Sequence, residues 1–255
     1  MWQLLKTNFR KEFIELKRYY PNTIAMIVSF YFLFLAAFLG LKFVGDPTSF
    51  DENVQYTIVS MAFWLFAMTA FGNPSVTILQ EAMRGTLEQL YMTPYRPWKI
   101  ICSRILAQIA LELISIVVLL IIIQATVNQW LNFNLLTTIP IALVTIISLI
   151  GIGFMMAGLA LVFKQIQNLL QIMQFILMGL VFFPLSVIPL LEIAPFVKGV
   201  NMIRDVMMYD LSLMDFSMFD YLSLGLNALF YFCLGLFIYF RCERIAKVKG
   251  LLSQY

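Results

Sequence analysis

Long apolar stretches occupy most of this chain and leave it few ways to fold. They cover residues 22–44, 54–79, 100–127, 135–163, 169–191 and 221–240. Each holds roughly 20 residues or more, the length that an α-helix needs to cross the hydrocarbon core of a bilayer. Hydrophobic residues make up 62% of the chain and charged residues only 12%, too few charges to cover a soluble domain of this size. The sequence therefore predicts an all-α, polytopic membrane protein with six transmembrane helices.

The distribution of Lys and Arg predicts the orientation in the membrane. Most of the 17 basic residues lie before the first span, between the second and third, after the fourth at Lys164, or after the sixth. The exceptions are Lys42, Lys198 and Arg204, and acids such as Asp46 share their side. Because segments rich in Lys and Arg stay in the cytoplasm, both termini are predicted to be cytoplasmic. The expected location is the plasma (inner) membrane of a bacterium.

Composition disfavours several kinds of chemistry. The chain has no His, which removes imidazole bases and histidine metal ligands. Cys102, Cys233 and Cys242 lack the CxxC spacing of zinc and redox sites. No G-x-x-x-x-G-K-[ST] phosphate loop occurs. We therefore expect no catalytic residue, metal or cofactor in this chain. An intramembrane enzyme would need converging ionisable groups, and the spans offer essentially Glu112.

Glu112 lies in the third span, one turn after Gln108 and two turns after Arg104. A carboxyl group at this depth is costly unless it is paired or functional. It could pair locally with Arg104 through Gln108, or be a partly protonated group satisfied by neighbouring helices. It could instead form a proton- or substrate-sensing site, and the sequence leaves these alternatives open.

Residues 1–20 form a basic amphipathic segment. Its apolar residues share one helical face: Trp2, Leu5, Phe9, Phe13, Leu16 and Tyr20. Basic residues, including Lys17 and Arg18, fall largely off that face. The pattern predicts an interfacial helix in the inner headgroup layer. Such a helix anchors the chain, and it could also contact a cytoplasmic partner.

Residues 192–220, between the fifth and sixth spans, are too apolar for a free aqueous loop. Pro184, Pro189 and Pro195 punctuate the approach to them. We predict short exterior re-entrant helices, because irregular backbone at membrane depth must be covered by protein or line a cavity. This segment could cap an exit path or simply pack against the bundle.

Residues 81–98 lie on the predicted cytoplasmic side between the second and third spans. Their apolar members share one helical face: Met83, Leu87, Leu90 and Tyr91. Arg84 and Glu88 are four residues apart and form a predicted pair on another face. An amphipathic helix with mixed charge suits docking to a soluble partner, although a helix resting on lipid headgroups has the same pattern.

The same segment resembles the cytoplasmic signature of ABC-2 type transporter permeases, roughly E-x-x-R-G-T-L-E-x-L-x-x-T-P. The matching residues are Glu81, Arg84, Gly85, Thr86, Leu87, Glu88, Leu90, Thr93 and Pro94. A second stretch, from Gln171 to Asp205, is similar to the fifth span and following exterior segment of that family. The resemblance covers essentially the whole chain, residues 1–255, as a single transmembrane domain.

The resemblance implies the permease subunit of an ATP-driven exporter. In that family a dimer of six-span subunits meets two ATPase subunits, and residues 1–20 and 81–98 would be the connecting and coupling helices. The implied partners are two ATPases that hold ATP and Mg, a second permease (identical or paralogous) and membrane lipid, with no nucleic acid. The substrate would be amphipathic or apolar: a drug, peptide or lipid-like molecule. A non-pumping accessory or immunity protein of the same fold is the alternative.

The family places its translocation path between the second and fifth spans. Candidate path residues are therefore Phe63, Phe66, Met68, Met173, Phe175 and Met178. Met and aromatic surfaces adapt to varied apolar ligands, although such stripes more often reflect ordinary helix packing.

Overall fold

The computed structural model is helical, with no strand in the part of the chain that it describes. Described are residues 2–44, 47–132, 134–163, 166–185 and 187–250. The helices are α1 (Trp2–Arg18), α2 (Tyr20–Val44), α3 (Phe50–Met83), α4 (Leu87–Tyr91), α5 (Pro97–Val127), α6 (Leu135–Val162), α7 (Gln167–Phe182), α8 (Val197–Tyr209) and α9 (Met218–Val248). Asp46 and Lys164, which enter the predicted orientation, lie outside the described residues. The all-α prediction is confirmed.

Local sequence explains where three of these helices begin. The Asn134 side chain accepts a hydrogen bond from the Thr137 backbone N–H at the start of α6. Ser217 and Asp220 form a reciprocal capping box at the start of α9. Pro97 stands in the first turn of α5, where its missing N–H leaves no helical hydrogen bond unmade. These residues limit the unpaired backbone donors at helix ends, which would be costly in apolar surroundings.

Five of the described helices are long and apolar enough to cross a membrane: α2, α3, α5, α6 and α9. The predicted fifth span, residues 169–191, is not one continuous helix. α7 has 16 residues, which at the rise of an α-helix is about 24 Å, short of a hydrocarbon core of about 30 Å. It ends before Pro184 because proline cannot extend a helix, and a 3-10 turn at Pro189–Ile193 follows. The chain is therefore a multi-pass membrane protein, but the prediction of six spans is not confirmed.

α3 is the centre of the bundle. It packs against α2, α5, α6, α7 and α8, and its buried side chains run from Val54 to Ala82. α2, by contrast, is largely exposed, with apolar side chains such as Phe32 directed outward. In a membrane such a face needs no burial in protein, because lipid tails are as apolar as the side chains.

The most extensive contact between two helices joins α6 and α9. Gly151 of α6 and Gly235 of α9 lie so close that a Cβ on either one would overlap the backbone of the opposite helix. Further along the same contact, a Cβ on Gly158 would come 2.8 Å from the Cα of Tyr239. Small residues permit this approach. These glycines of the fourth predicted span therefore pack within the chain, against α9.

Replacing Gly235 by Ala should push α6 and α9 apart, because the new methyl group would overlap the Gly151 carbonyl oxygen. Overpacking of this kind destabilises a protein by about 1–3 kcal/mol, which we expect as a lower thermal unfolding midpoint of the purified protein in detergent. Gly225→Ala, in the same helix, is the matched control, since nothing lies within 4 Å of its added Cβ. Equal midpoints for the two variants would contradict this description of the contact.

Candidate functional site

The turn between α3 and α4 organises the segment that carries the sequence signature. Gly85 has a φ of +69°, a left-handed conformation that glycine adopts without strain. The Thr86 backbone N–H donates to the Glu81 carbonyl oxygen at 2.9 Å, and the Gly85 N–H donates to the Ala82 carbonyl oxygen at 3.0 Å. Hydrogen bonds of this kind close a helix at a left-handed glycine. The Arg-Gly-Thr sequence therefore ends α3 and allows α4 to begin in a new direction.

α4 is attached to the bundle by one face. Leu87 and Leu90 are buried, with 3% and 9% of their surface exposed. The Tyr91 hydroxyl lies 3.3 Å from the Tyr239 hydroxyl of α9, and the Lys247 ammonium lies 5.1 Å from the centroid of the Tyr91 ring. Burial raises the pKa of the Tyr91 phenol, so the hydroxyl stays protonated at neutral pH. These contacts hold α4 against the C-terminal part of α9.

The other face of α4 and the preceding turn are exposed. Arg84 and Glu88 both lie on this surface, but the predicted ion pair between them is wrong: it is not among the ion pairs of the described residues. The reason is that Gly85 breaks the helix between them. Met83, predicted to share a helical face with Leu87 and Leu90, is instead 68% exposed, because it ends α3 and does not belong to α4.

Glu81, the first residue of the signature, has a partner inside the chain. Its carboxylate lies 2.5 Å from the guanidinium of Arg104 in α5, and both side chains are only 17% exposed. At the other end of the signature, the Thr93 hydroxyl donates to the Leu90 carbonyl oxygen at 2.9 Å, and Pro94 follows on the surface. The Glu81–Arg104 pair joins the ends of α3 and α5 between which α4 lies. Sequence analysis missed it because the partner belongs to the next span.

α1 contacts the bundle through polar side chains. The Asn8 amide donates to the Ser103 hydroxyl at 2.5 Å, and the Gln108 amide donates to the Glu12 carboxylate at 3.5 Å. Burial raises the pKa of the Glu12 carboxyl. The residues predicted to lie at the membrane surface are exposed: Trp2, Phe9, Phe13, Lys17 and Arg18. α1 therefore has a polar contact with α5 on one side and a free apolar and basic surface on the other.

The candidate path residues are divided between different surfaces. Phe63 and Phe66 line an apolar cavity of about 350 Å³ between α3, α5, α6 and α8, whereas Phe175 on α7 is 65% exposed. Met68, Met173 and Met178 are half-buried. The contact between α3 and α7 includes Trp64, whose indole N–H donates to the Gln174 carbonyl oxygen at 3.3 Å. A tryptophan N–H within a span needs such an acceptor, and this requirement could have identified Trp64 from the sequence.

Of the alternatives for Glu112, the local pair with Arg104 through Gln108 does not form, because the partner of Arg104 is Glu81 and Gln108 donates to Glu12. The Oε1 atom of Glu112 is shielded from solvent and has no hydrogen-bond partner within the described part of the chain. The side chain lines a polar cavity of about 510 Å³ between α1, α2, α3 and α5.

α8 occupies the predicted exterior segment, residues 192–220, and is tied to α3 and α7 by one cation. Arg204, only 3% exposed, donates to the Ser60 hydroxyl at 3.0 Å and to the Val181 carbonyl oxygen at 2.9 Å. Its guanidinium carbon lies 3.7 Å from the centroid of the Tyr56 ring. α8 is therefore fixed where α7 ends against α3, a position compatible with a cap and with plain packing.

The long apolar helices packed around α3 define a multi-pass membrane protein. An amphipathic helix, α1, precedes them, and the short helix α4 follows α3. A comparison with protein families matches residues 3–208 to the ABC-2 type transporter family. The match covers most of the chain, and the protein belongs to this family. It is a transporter permease subunit, of a kind that is generally not itself catalytic and that generally works with an ABC ATPase. A search of curated proteins finds no match.

Glu81→Gln should destabilise the protein without altering the exposed face of α4. Arg104, whose side chain is only 17% exposed, would lose its carboxylate partner. Breaking a fully buried ion pair costs about 3–5 kcal/mol. Partial exposure reduces the expected loss to about 1–2 kcal/mol, measured as a lower thermal unfolding midpoint. Glu88→Gln is the matched control and should leave the midpoint unchanged, because Glu88 is exposed. Equal midpoints for Glu81→Gln and the control would contradict a stabilising role for the Glu81–Arg104 pair.

Proposed function

We propose that this chain is the permease subunit of an ATP-driven exporter and that α4 docks on a separate ATPase subunit. The observation that carries the proposal is the division of α4 into two faces. Leu87 and Leu90 are buried against the bundle, while Glu88 and the adjacent Arg84 are exposed. A short helix supported from behind can transmit a movement into the bundle. The electrostatic interactions of its exposed charges with a partner become stronger when docking removes water from them.

ATP and Mg would bind to the ATPase subunits, since this sequence contains no phosphate loop of the G-x-x-x-x-G-K-[ST] type. We assign two ATPase subunits and a second permease, a copy or a paralogue, to the working complex. Exposed apolar side chains such as Phe32 on α2 and Phe175 on α7 supply surfaces for this second permease and for membrane lipid.

The contacts behind α4 suggest how a movement would reach the membrane. Tyr91 meets Tyr239 in α9, and Glu81 at the end of α3 meets Arg104 in α5. α6 would follow α9 through their close backbone contact. ATP binding can shift this assembly only if the closed ATPase contacts one membrane arrangement better than the other. α4 would supply that differential contact.

We further propose an amphipathic or apolar substrate (a drug, a peptide or a lipid-like molecule) that passes between α3 and α7. Trp64 lies in this contact, and Arg204 of α8 binds at its end. The six Met and Phe residues selected from the sequence stay predictions, because they are divided between this contact and the neighbouring apolar cavity.

The proposed orientation places both termini in the cytoplasm of a bacterial cell, with α7 and the 3-10 turn after it forming the sixth crossing. Met92, which follows α4, and Met214, which precedes α9, are 74% and 96% exposed and should lie on opposite sides of the membrane. In intact cells a membrane-impermeant thiol reagent should label Met214→Cys, and Met92→Cys only after permeabilisation. The native cysteines should remain unlabelled in intact cells. Labelling of Met92→Cys from outside would reverse the orientation.

Glu88→Lys should abolish ATP-dependent export, because a reversed charge at a desolvated interface opposes docking by several kcal/mol. The measurement is affinity purification of the tagged permease from its native cells, with mass spectrometric identification of a co-purified phosphate-loop ATPase and assay of its ATP hydrolysis. We expect the ATPase to be lost at least tenfold while permease yield and thermal midpoint stay the same.

The matched control is Asp210→Lys, the same acid-to-lysine change at an exposed residue after α8, which should retain the ATPase. Full retention by Glu88→Lys would reject docking through α4. Absence of any ATPase from the wild-type preparation would instead favour the non-pumping accessory or immunity protein.

A further inference from the structure

The polar cavity beside Glu112 is used neither by the coupling segment nor by the contact between α3 and α7. It is a partly open cavity of about 510 Å³ between α1, α2, α3 and α5. Its lining includes the carboxylates of Glu12, Glu15 and Glu112 and contains no Lys or Arg. In a chain with 17 basic and 14 acidic residues, this one-sided charge is a property of the site rather than of the composition.

Two nearby cations already have carboxylate partners, one of them Glu15 of the cavity lining itself. The Lys11 ammonium lies 3.6 Å from the Glu15 carboxylate, and Arg104 pairs with Glu81. Neither cation lines the cavity. Within the described residues this leaves Glu112, like Glu12, without an ion pair.

Glu112 and Gln108, two residues that line the cavity, each have a side-chain Oε1 atom that is shielded from solvent and lacks a hydrogen-bond partner in the described part of the chain. An unpaired buried acceptor costs about 1–3 kcal/mol, and a charged one costs more. The two residues are one helical turn apart on α5 and line the same cavity. Glu112 borders the cavity without an ion pair in the described residues, and this favours a ligand that brings positive charge or hydrogen-bond donors.

A metal ion is a poor candidate for this ligand. The described residues contain no group of three or more His, Cys, Asp or Glu that could hold one, so the carboxylates do not converge on a point. Apolar and aromatic side chains also line the space, among them Met26, Leu111 and Tyr19. Aromatic rings and methionine suit a large cation with diffuse charge.

We propose that this cavity binds an organic cation with apolar substituents, of the ammonium or phosphonium class. The cation could be a transported molecule or the ammonium group of a lipid, since α1 presents an apolar and basic surface of the interfacial type beside the cavity. The assignment of the cation as a transported molecule rests on the proposed function. The existence of the binding site does not depend on that function.

The test uses the purified chain alone, in dodecyl maltoside at pH 8, and measures equilibrium dialysis of labelled tetraphenylphosphonium. Tetraphenylborate, which has the same shape and the opposite charge, is the ligand control. We expect saturable binding of the phosphonium only, weakened at least tenfold by Glu112→Gln. Asp210→Asn, the same change at an exposed acid outside the cavity, should bind as the wild type does.

Thermal unfolding midpoints establish that Glu112→Gln is folded. If Glu112→Gln does not fold, Thr23→Phe is the test variant instead, because it fills the cavity from α2 without removing a charge. Thr23→Phe should also weaken phosphonium binding tenfold.

Competition by phosphatidylethanolamine but not phosphatidylglycerol would assign the cation to a lipid headgroup. Failure of both lipids to compete would assign it to a transported molecule. Unsaturable phosphonium binding, equal binding of the borate, or unchanged binding in the folded cavity variant would each overturn the proposal. Because no ATPase is present, failure of this test is distinct from failure of ATPase docking.

Discussion

The backbone contact between Gly151 and Gly235 is the constraint on which the position of the candidate coupling site depends. Because neither residue has a side chain, α6 and α9 approach closely. The same approach seats Tyr239 against Gly158, where it is fully buried. From there its hydroxyl reaches Tyr91 of α4. The position of α4, which carries the exposed charges of the signature, therefore depends on the glycine contact between α6 and α9.

A second constraint is the small number of charges in an apolar bundle. Arg104 is matched by Glu81, and Arg204 by hydroxyl, carbonyl and aromatic groups of α3 and α7. A buried charge without such partners is destabilising, so these two cations determine which helix ends meet. The carboxylate of Glu112 departs from this rule, which is why its cavity is the place where a ligand would have the most to contribute.

Two elements differ from their sequence patterns for identifiable reasons. α7 ends at Phe182 although apolar residues continue, because the prolines that follow cannot maintain helical hydrogen bonds. α1 has the predicted apolar stripe, yet Asn8 and Glu12 make its hydrogen bonds to α5. An amphipathic pattern distinguishes a polar face from an apolar face. In a membrane protein lipid can cover the apolar face, so the pattern does not show which of the two faces packs against the bundle.

The sequence by itself determined the helical membrane class, the positions of five long helices and the buried side of α4 at Leu87 and Leu90. These properties are local: helix length and periodicity follow from neighbouring residues, and a backbone in lipid must satisfy its hydrogen bonds within its own helix. Only the tertiary structure decided that Glu81 meets Arg104, that Gly151 meets Gly235 and that Glu112 meets no cation. Such pairings depend on which helices are neighbours and at what depth, and hydrophobic periodicity carries no information on either.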